Sequence, residues 1–246
     1  MAQFVRSCRV AAPRAALFAW HARPLVFTRL TPPWERVRVV VDQGGIEDGA
    51  RKVLRIGPLG LEWAARHEGF VAGREFVDVQ EKGPFRAWRH AHRFRDDGPN
   101  AAVLEDAIEY VLPLGTLGAL FGGALVRKKL ARLFEHRHRV TVHDVELAHR
   151  EPAGALALAV QRVGSADARD SALVAAFLSG VGWDAREASS HSAPPRDRLL
   201  LEVDRGSARL FEPGTGTAHA LPLPEVEDAA LASIHRALLA FERARS

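Results

Sequence analysis

At 246 residues the chain has room for one large domain, or for a domain of about 150 residues with a smaller companion, and its 47% hydrophobic and 26% charged content excludes wholesale disorder. The formal net charge is only +4, and the basic residues, nearly all arginine, alternate with acidic ones, which argues against a nucleic-acid partner. Cys8 is the single cysteine, so an intrachain disulfide and a cysteine-based metal cluster are both excluded.

Arg6, Arg9 and Arg14 break up the N-terminal apolar positions, so no export signal is evident and a cytoplasmic location is expected. Phe4 to Val10 alternates as a first strand, and Pro13 suits the first turn of a short helix carrying Ala16, Leu17, Phe18 and Trp20. A second short helix is predicted from Leu25 to Leu30, stopped by Pro32 and Pro33. Trp34 to Asp42 and Ala50 to Ile56 read as a hairpin through Gly44 and Gly45. Three strands then surround the most informative stretch. Leu61 to Phe70 puts Trp63, Ala65 and His67 on one face, Glu75 to Glu81 does the same for Phe76, Asp78 and Gln80, and Ala101 to Leu112 for Leu104, Asp106, Ile108 and Tyr110.

Between them, Gly83 to Asp97 reads as one long strand whose side chains fall into two sets. Trp88, His90, His92 and Phe94 point one way, while Arg89, Ala91, Arg93 and Arg95 point the other. An ordinary dry core would place Val, Ile or Leu inward, whereas Trp and His combine apolar bodies with polar tips that suit a partly wet cavity. After Pro113 the period changes to about 3.6, with Leu117, Leu120, Phe121, Leu125, Leu130, Leu133 and Phe134 as the stripe of one helix running to about residue 148. Val111 to Val126 is too short to span a bilayer, so no transmembrane segment is expected. The expected cavity lies between sheet and helix and is lined by Trp63, His67, Phe76, Asp78, Trp88, His90, His92, Tyr110, Leu117 and Phe121.

His67, Asp78 and His90 are the candidates for general acid–base chemistry, since an imidazole beside a carboxylate can move protons near neutral pH. The same residues also suit a structural reading in which neighbours satisfy each histidine. No metal is expected: His136 and His138 diverge by about 200° around a helix, which favours a solvated basic helix end over a ligand pair.

The segments Trp20-His21-Ala22-Arg23-Pro24, Arg29-Leu30-Thr31-Pro32-Pro33-Trp34-Glu35, Arg66-His67-Glu68, Phe76-Val77-Asp78-Val79-Gln80 and Gly83-Pro84-Phe85, with Trp88, His90, Arg93 and Phe94, resemble the SRPBCC superfamily. This is the START-like, pollen-allergen-like helix-grip group. In particular the chain looks like the bacterial cyclase/dehydrase subgroup, in which some members are fused to epimerase-like short-chain dehydrogenase domains. The resemblance covers about residues 1–149. It implies an α+β helix-grip fold, a curved antiparallel sheet around a long C-terminal helix, and an apolar or amphiphilic small-molecule ligand. Fold does not fix function, and three classes stay open: a non-catalytic carrier, sensor or accessory protein, a cyclase/dehydrase-like or hydrolytic enzyme, and an interaction module for an epimerase-like enzyme.

Residues 150–246 read as a separate small α/β module. Strands are expected at Ala155 to Val163, Trp183 to Ala188, Arg198 to Asp204 and Ala208 to Phe211, with helices at Ala168 to Ser179 and Glu225 to Arg243. Fused relatives carry a dinucleotide-binding domain here. In this chain only Gly164 stands between the first strand and helix, and Asp167 and Asp170 would repel a phosphate. A degenerate remnant with no bound cofactor is the expectation.

Overall fold

The computed structural model describes residues 1–113, 115–162, 168–188, 198–204, 207–212, 217–221 and 227–244. The chain divides into two compact units, the first made of Met1–Ala22 and Leu30–Glu146, the second of Arg23–Arg29 and Leu147–Ser246.

In the first unit β1 (Ala2–Val10) leads into α1 (Arg14–His21). Strands β2 (Val37–Gln43), β3 (Arg51–Ile56), β4 (Leu61–Val71), β5 (Glu75–Lys82), β6 (Ala87–Asp96) and β7 (Ala102–Val111) follow as a meander, and then the long helix α3 (Gly115–Arg150). The short helix α2 (Val26–Leu30) follows α1 in the chain, but most of it is counted with the second unit. The seven strands form one antiparallel sheet in the order β1-β7-β6-β5-β4-β3-β2, so the first strand closes on the last. This is the α+β helix-grip arrangement that the element order predicts. The first hairpin strand starts at Val37 and not at Trp34.

The local rules that shape the sheet are visible in its interior. Residues directly opposite in an antiparallel pair share a face, and β6 pairs Trp88 with Tyr110, His90 with Ile108 and His92 with Asp106. Gly69 takes a positive φ of 61° where β4 shifts register against β5 between Glu68 and Val71. A glycine suits such a bulge because it has no Cβ to clash at that backbone angle. The opposite face of β6 is ionic: Arg93 and Arg95 reach Glu105 at 3.2 and 3.0 Å.

Phe4, Trp88, Ile108, Tyr110, Leu130 and Phe134 form the apolar core between this sheet and α3, with Val126 and Leu133 packed against it. Leu125, expected in the same stripe, is exposed; Val126 takes that place because residues 126, 130, 133 and 134 follow the spacing of one helix face. Among the described residues no helix is long and apolar enough to cross a membrane.

The second unit holds β8 (Ala157–Arg162), α4 (Ala168–Val181), β9 (Asp184–Glu187), β10 (Leu199–Asp204), β11 (Ser207–Phe211), β12 (Ala218–Leu221) and α5 (Glu227–Arg243). Its sheet runs β12-β11-β10-β8-β9, with β8 parallel to both β9 and β10. β12 is an addition to the expected strands; Ala-His-Ala-Leu is short and has little β-branched character to announce it. The phosphate-loop question falls on residues 163–167, which lie outside the described residues, as does the side chain of Asp170.

Residues 23–29 depart from a boundary at 149. Arg23 donates to the carbonyls of Gly180 (2.6 Å) and Ser179 (3.3 Å) at the end of α4, where helix carbonyls lack intrahelical partners. The Ser179 hydroxyl donates to the Pro24 carbonyl at 3.1 Å. Gly182 ends this helix at φ 116°, and a side chain there would meet Ala153 and Arg23 at 3.2 and 3.3 Å. Arg29 is 1% exposed, with its guanidinium 5.6 Å from the Phe177 ring centroid. A fragment ending at residue 149 is therefore expected to be cut by trypsin after Arg29, while the full chain is protected there; mass mapping of timed digests checks this, and equal protection in both would refute it.

Candidate functional site

The sheet face that packs on α3 carries its side chains in rows, because each cross-strand pair fixes the next. One row is His67, Asp78, His90 and Ile108; the next is Phe76, His92 and Asp106; on the other side of the first lies the pair Trp88 and Tyr110. The sheet thus brings together every predicted site residue in the strands. Leu117 and Phe121 belong to the part of α3 whose side chains lie outside the described residues.

At one end the aromatic rings meet one another. Trp63 lies 5.0 Å from Trp88 edge-on, Phe85 4.9 Å from Trp88, and Phe85 5.7 Å from Tyr110, measured between centroids. Trp88 and Tyr110 are buried, whereas Trp63 and Phe85 are only half-buried. At the other end Phe76 stacks on His92 at 4.2 Å, and α1 lays Phe18 and His21 against Phe94 at 5.1 and 5.0 Å.

Between these ends lies a network of two carboxylates and four imidazoles. Asp78 contacts His67 Nε2 (2.5 Å), His92 Nε2 (2.9 Å) and His90 Nδ1 (3.4 Å). Asp106 contacts His90 Nε2 (2.9 Å) and, from α3, His138 Nε2 (2.6 Å). His92 Nδ1 also lies 2.8 Å from Asp106 Oδ1, but it is not aligned for a hydrogen bond and has no other such partner among the described residues. The outer nitrogen of His67 faces the Gly45 carbonyl at 3.1 Å, so the turn after β2 helps to hold that ring. Asp106 and His90 are almost wholly buried, whereas a quarter of the Asp78 side chain is exposed. Solvent reaches the network at Asp78.

Burial alone would raise the pKa of both carboxyls. The hydrogen bonds of His67, His90 and His92 outweigh it and hold Asp78 well below the usual carboxylate range; His138, His90 and His92 do the same for Asp106. For His92 burial opposes charge, but Asp106 and Asp78 win and lift it to about 9. A cationic His92 also suits the face of Phe76. For His21, whose Nδ1 faces the Leu17 carbonyl at 2.9 Å, burial outweighs that contact and pushes it down to about 4. Burial likewise pushes the Cys8 thiol up to about 12, which removes it as a nucleophile at neutral pH.

Asp106 and His138 were missed as site residues. Asp106 already stood on the inward side of a strand, and an inward carboxylate demands partners, which was the available signal. His136 and His138 correct the expectation of a solvated helix end, since both are buried. α3 continues to Arg150, so these histidines lie well before its last turn. The divergence of positions i and i+2 still holds within the helix: His138 turns to Asp106 while His136 meets Trp34 at 5.3 Å. Helix spacing could not foresee that Asp78, His90 and His92, from paired strands, place one donor atom each within 4.8 Å of the others.

A shallow groove of about 450 Å³ borders the network, lined by Arg6, Ser7 and Cys8 of β1 and by Glu135, His138, Arg139, Val142 and His143 of α3. It contains none of the ten predicted ligand-lining residues; His138 connects it to the carboxylates.

The helix-grip class defined by this sheet and helix has its counterpart in sequence. A family model described as polyketide cyclase/dehydrase and lipid transport matches residues 10–137, just over half of the chain, and the chain belongs to that family. No curated protein sequence matches it. Among solved structures, a nucleoside-diphosphate sugar epimerase from Corynebacterium glutamicum is 21% identical with a TM-score of 0.63, over 82% of this chain and 45% of that one. This chain therefore spans less than half the length of that protein, and the likeness is one of fold. The Zhui aromatase/cyclase from Streptomyces sp. R1128 (18% identity, TM-score 0.47, 63% of this chain and 99% of that one) and a START superfamily protein from Mycobacterium smegmatis (15%, 0.45, 58% and 97%) also match.

The network and the buried His21 beside it each lead to a measurable outcome. Replacing Asp106 by Ala leaves buried imidazoles without their acceptor and is expected to cost about 3–5 kcal/mol, read from urea unfolding, whereas Glu105→Ala on the ionic face should cost about 1 kcal/mol or less. His21 supplies a pH test. Its folded pKa of about 4 lies below its ordinary 6.5, so the unfolded chain takes up the proton first as pH falls. Stability from this group is complete above 6.5, declines between 6.5 and 4 by roughly 3 kcal/mol, and then levels. Melting curves across that window should slope less in His21→Leu than in the native chain; parallel slopes would rule the assignment out.

Proposed function

We propose that the first unit binds an amphiphilic small molecule against the α3-facing side of its sheet, as a carrier, sensor or accessory protein. The observation that carries this is the graded character of that face: half-buried Trp63 and Phe85 at one end, then the buried Trp88 and Tyr110, then the imidazole and carboxylate rows. An apolar body gains about 25 cal/mol per Å² of area removed from water against the rings, while the polar groups orient a hydroxyl, carbonyl or carboxylate. Membership of a family described by cyclisation, dehydration and lipid transport supports the same reading.

Acid–base catalysis is the second reading, favoured by the contiguity of His67, Asp78 and His90. Asp78 itself is held ionised at neutral pH, so proton donation in that case falls to an imidazole. His67→Gln separates the readings, since a carrier loses affinity gradually whereas an enzyme loses turnover with binding retained. The fold likeness to an epimerase is not carried over to a partner enzyme.

A panel of single-headed amphiphiles, such as fatty acids, long-chain alcohols and aromatic polyketide-like phenols, is expected to raise the melting temperature and quench tryptophan fluorescence. Trp63→Ala, at the half-buried end, should weaken that binding at least several-fold without unfolding the chain. A panel that moves neither signal would defeat the proposal.

A further inference from the structure

We infer that Asp78, His90 and His92 form a binding site for one divalent first-row transition-metal ion, with Asp106 as the carboxylate that orients His90 and stands beside His92. The donor atoms are Asp78 Oδ2, His90 Nδ1 and His92 Nε2. The carboxylate oxygen lies 2.9 Å from the His92 nitrogen and 3.4 Å from the His90 nitrogen, and the three donors fall within 4.8 Å of one another. Ligands about 2.0–2.1 Å from a tetrahedral ion stand about 3.3 Å apart, so small side-chain adjustments admit an ion among them.

The surroundings of the two rings point the same way. Both nitrogens of His90 and of His92 face carboxylate oxygens. An ion on His90 Nδ1 and His92 Nε2 leaves His90 Nε2 hydrogen-bonded to Asp106 at 2.9 Å, with His92 Nδ1 2.8 Å from the same carboxylate and a small ring rotation away from alignment. Metal-bound histidines ordinarily direct their second nitrogen to such a carboxylate. His138 and His67 brace the two carboxylates from behind at 2.6 and 2.5 Å. A dication also balances Asp78 and Asp106 charge for charge, which addresses the cost of burying both. Two nitrogens and one oxygen suit Zn²⁺, Fe²⁺ or Co²⁺ better than Ca²⁺ or Mg²⁺, and the partial exposure of Asp78 leaves a position for water.

The test uses the full chain, stripped with a chelator and titrated with Co²⁺ and Zn²⁺ alone. One equivalent of Co²⁺ should produce visible d–d bands, both ions should raise the melting temperature, and chelator should reverse both effects. His92→Gln should abolish the bands, and His149→Gln, at an exposed position on α3, should leave them intact. Asp106→Asn keeps all three ligands and should weaken binding by about 10- to 100-fold, which decides the matter if His92→Gln does not fold. Absence of a one-to-one complex in the native chain, undiminished binding in His92→Gln, or unchanged affinity in Asp106→Asn would overturn the site. No organic ligand is present, so the result is separate from that of the amphiphile panel.

Discussion

Two carboxylates turned inward on one sheet are the constraint around which the first unit is built. A buried ionised carboxylate costs several kcal/mol unless charge and hydrogen bonds return to it, and each needs more than one partner. Antiparallel register provides them: pairing Asp78 with His67 and His90, and Asp106 with His92, puts acid and imidazole side by side without a loop in between. α3 then adds His138 from above. A one-residue slip would turn the whole set to the opposite face, so the network and the strand register enforce one another.

The two faces of β6 show how the same alternation serves different ends. Arg93 and Arg95 meet Glu105 where solvent screens them, and such pairs contribute little. The inner face places comparable charges where water is scarce, so every contact there weighs more. Aromatic rings enclose the network on both sides in the sheet, Trp88 beyond His90 and Phe76 against His92. Their packing lowers the local dielectric and fixes the rings, and it leaves the edge at Asp78 as the wet side.

The strands of the first unit and the inward set on β6 were legible because a period of two is a direct image of the pleat. His67, Asp78, His90 and His92 could be assigned to one side from that pattern, with a β–β register that later fixed their distances. His138 was not legible, since a helix position reveals its face but not what the sheet opposite presents. Asp106 is legible as an inward residue but not as a site residue, because its partners lie in other strands and in α3. Leu125 was misplaced for a simpler reason: an apolar stripe tolerates a neighbour about 100° away before packing chooses between them. Residues 23–29 carry no compositional mark of their partnership with the second unit, which is made of backbone carbonyls and one ring.

What occupies the centre of the network decides what kind of head group the sheet can accept. With protons alone, Asp78 and Asp106 stand against a cationic His92, leaving an excess of negative charge that favours hydrogen-bond donors such as a hydroxyl or an ammonium. With a dication bound to Asp78, His90 and His92, the two carboxylates are balanced, and an anionic oxygen, carboxylate or enolate, becomes an acceptable ligand at the exposed side of Asp78. The aromatic end is indifferent to this choice, because dispersion and apolar burial depend on shape and area. Chain length and ring shape of a ligand are therefore read by Trp63, Phe85 and Trp88, while the charge of its head is read by the occupant of the histidine and aspartate rows. An amphiphile whose affinity changes sign of preference, from alcohol to carboxylate, when Zn²⁺ is added would report both readings at once.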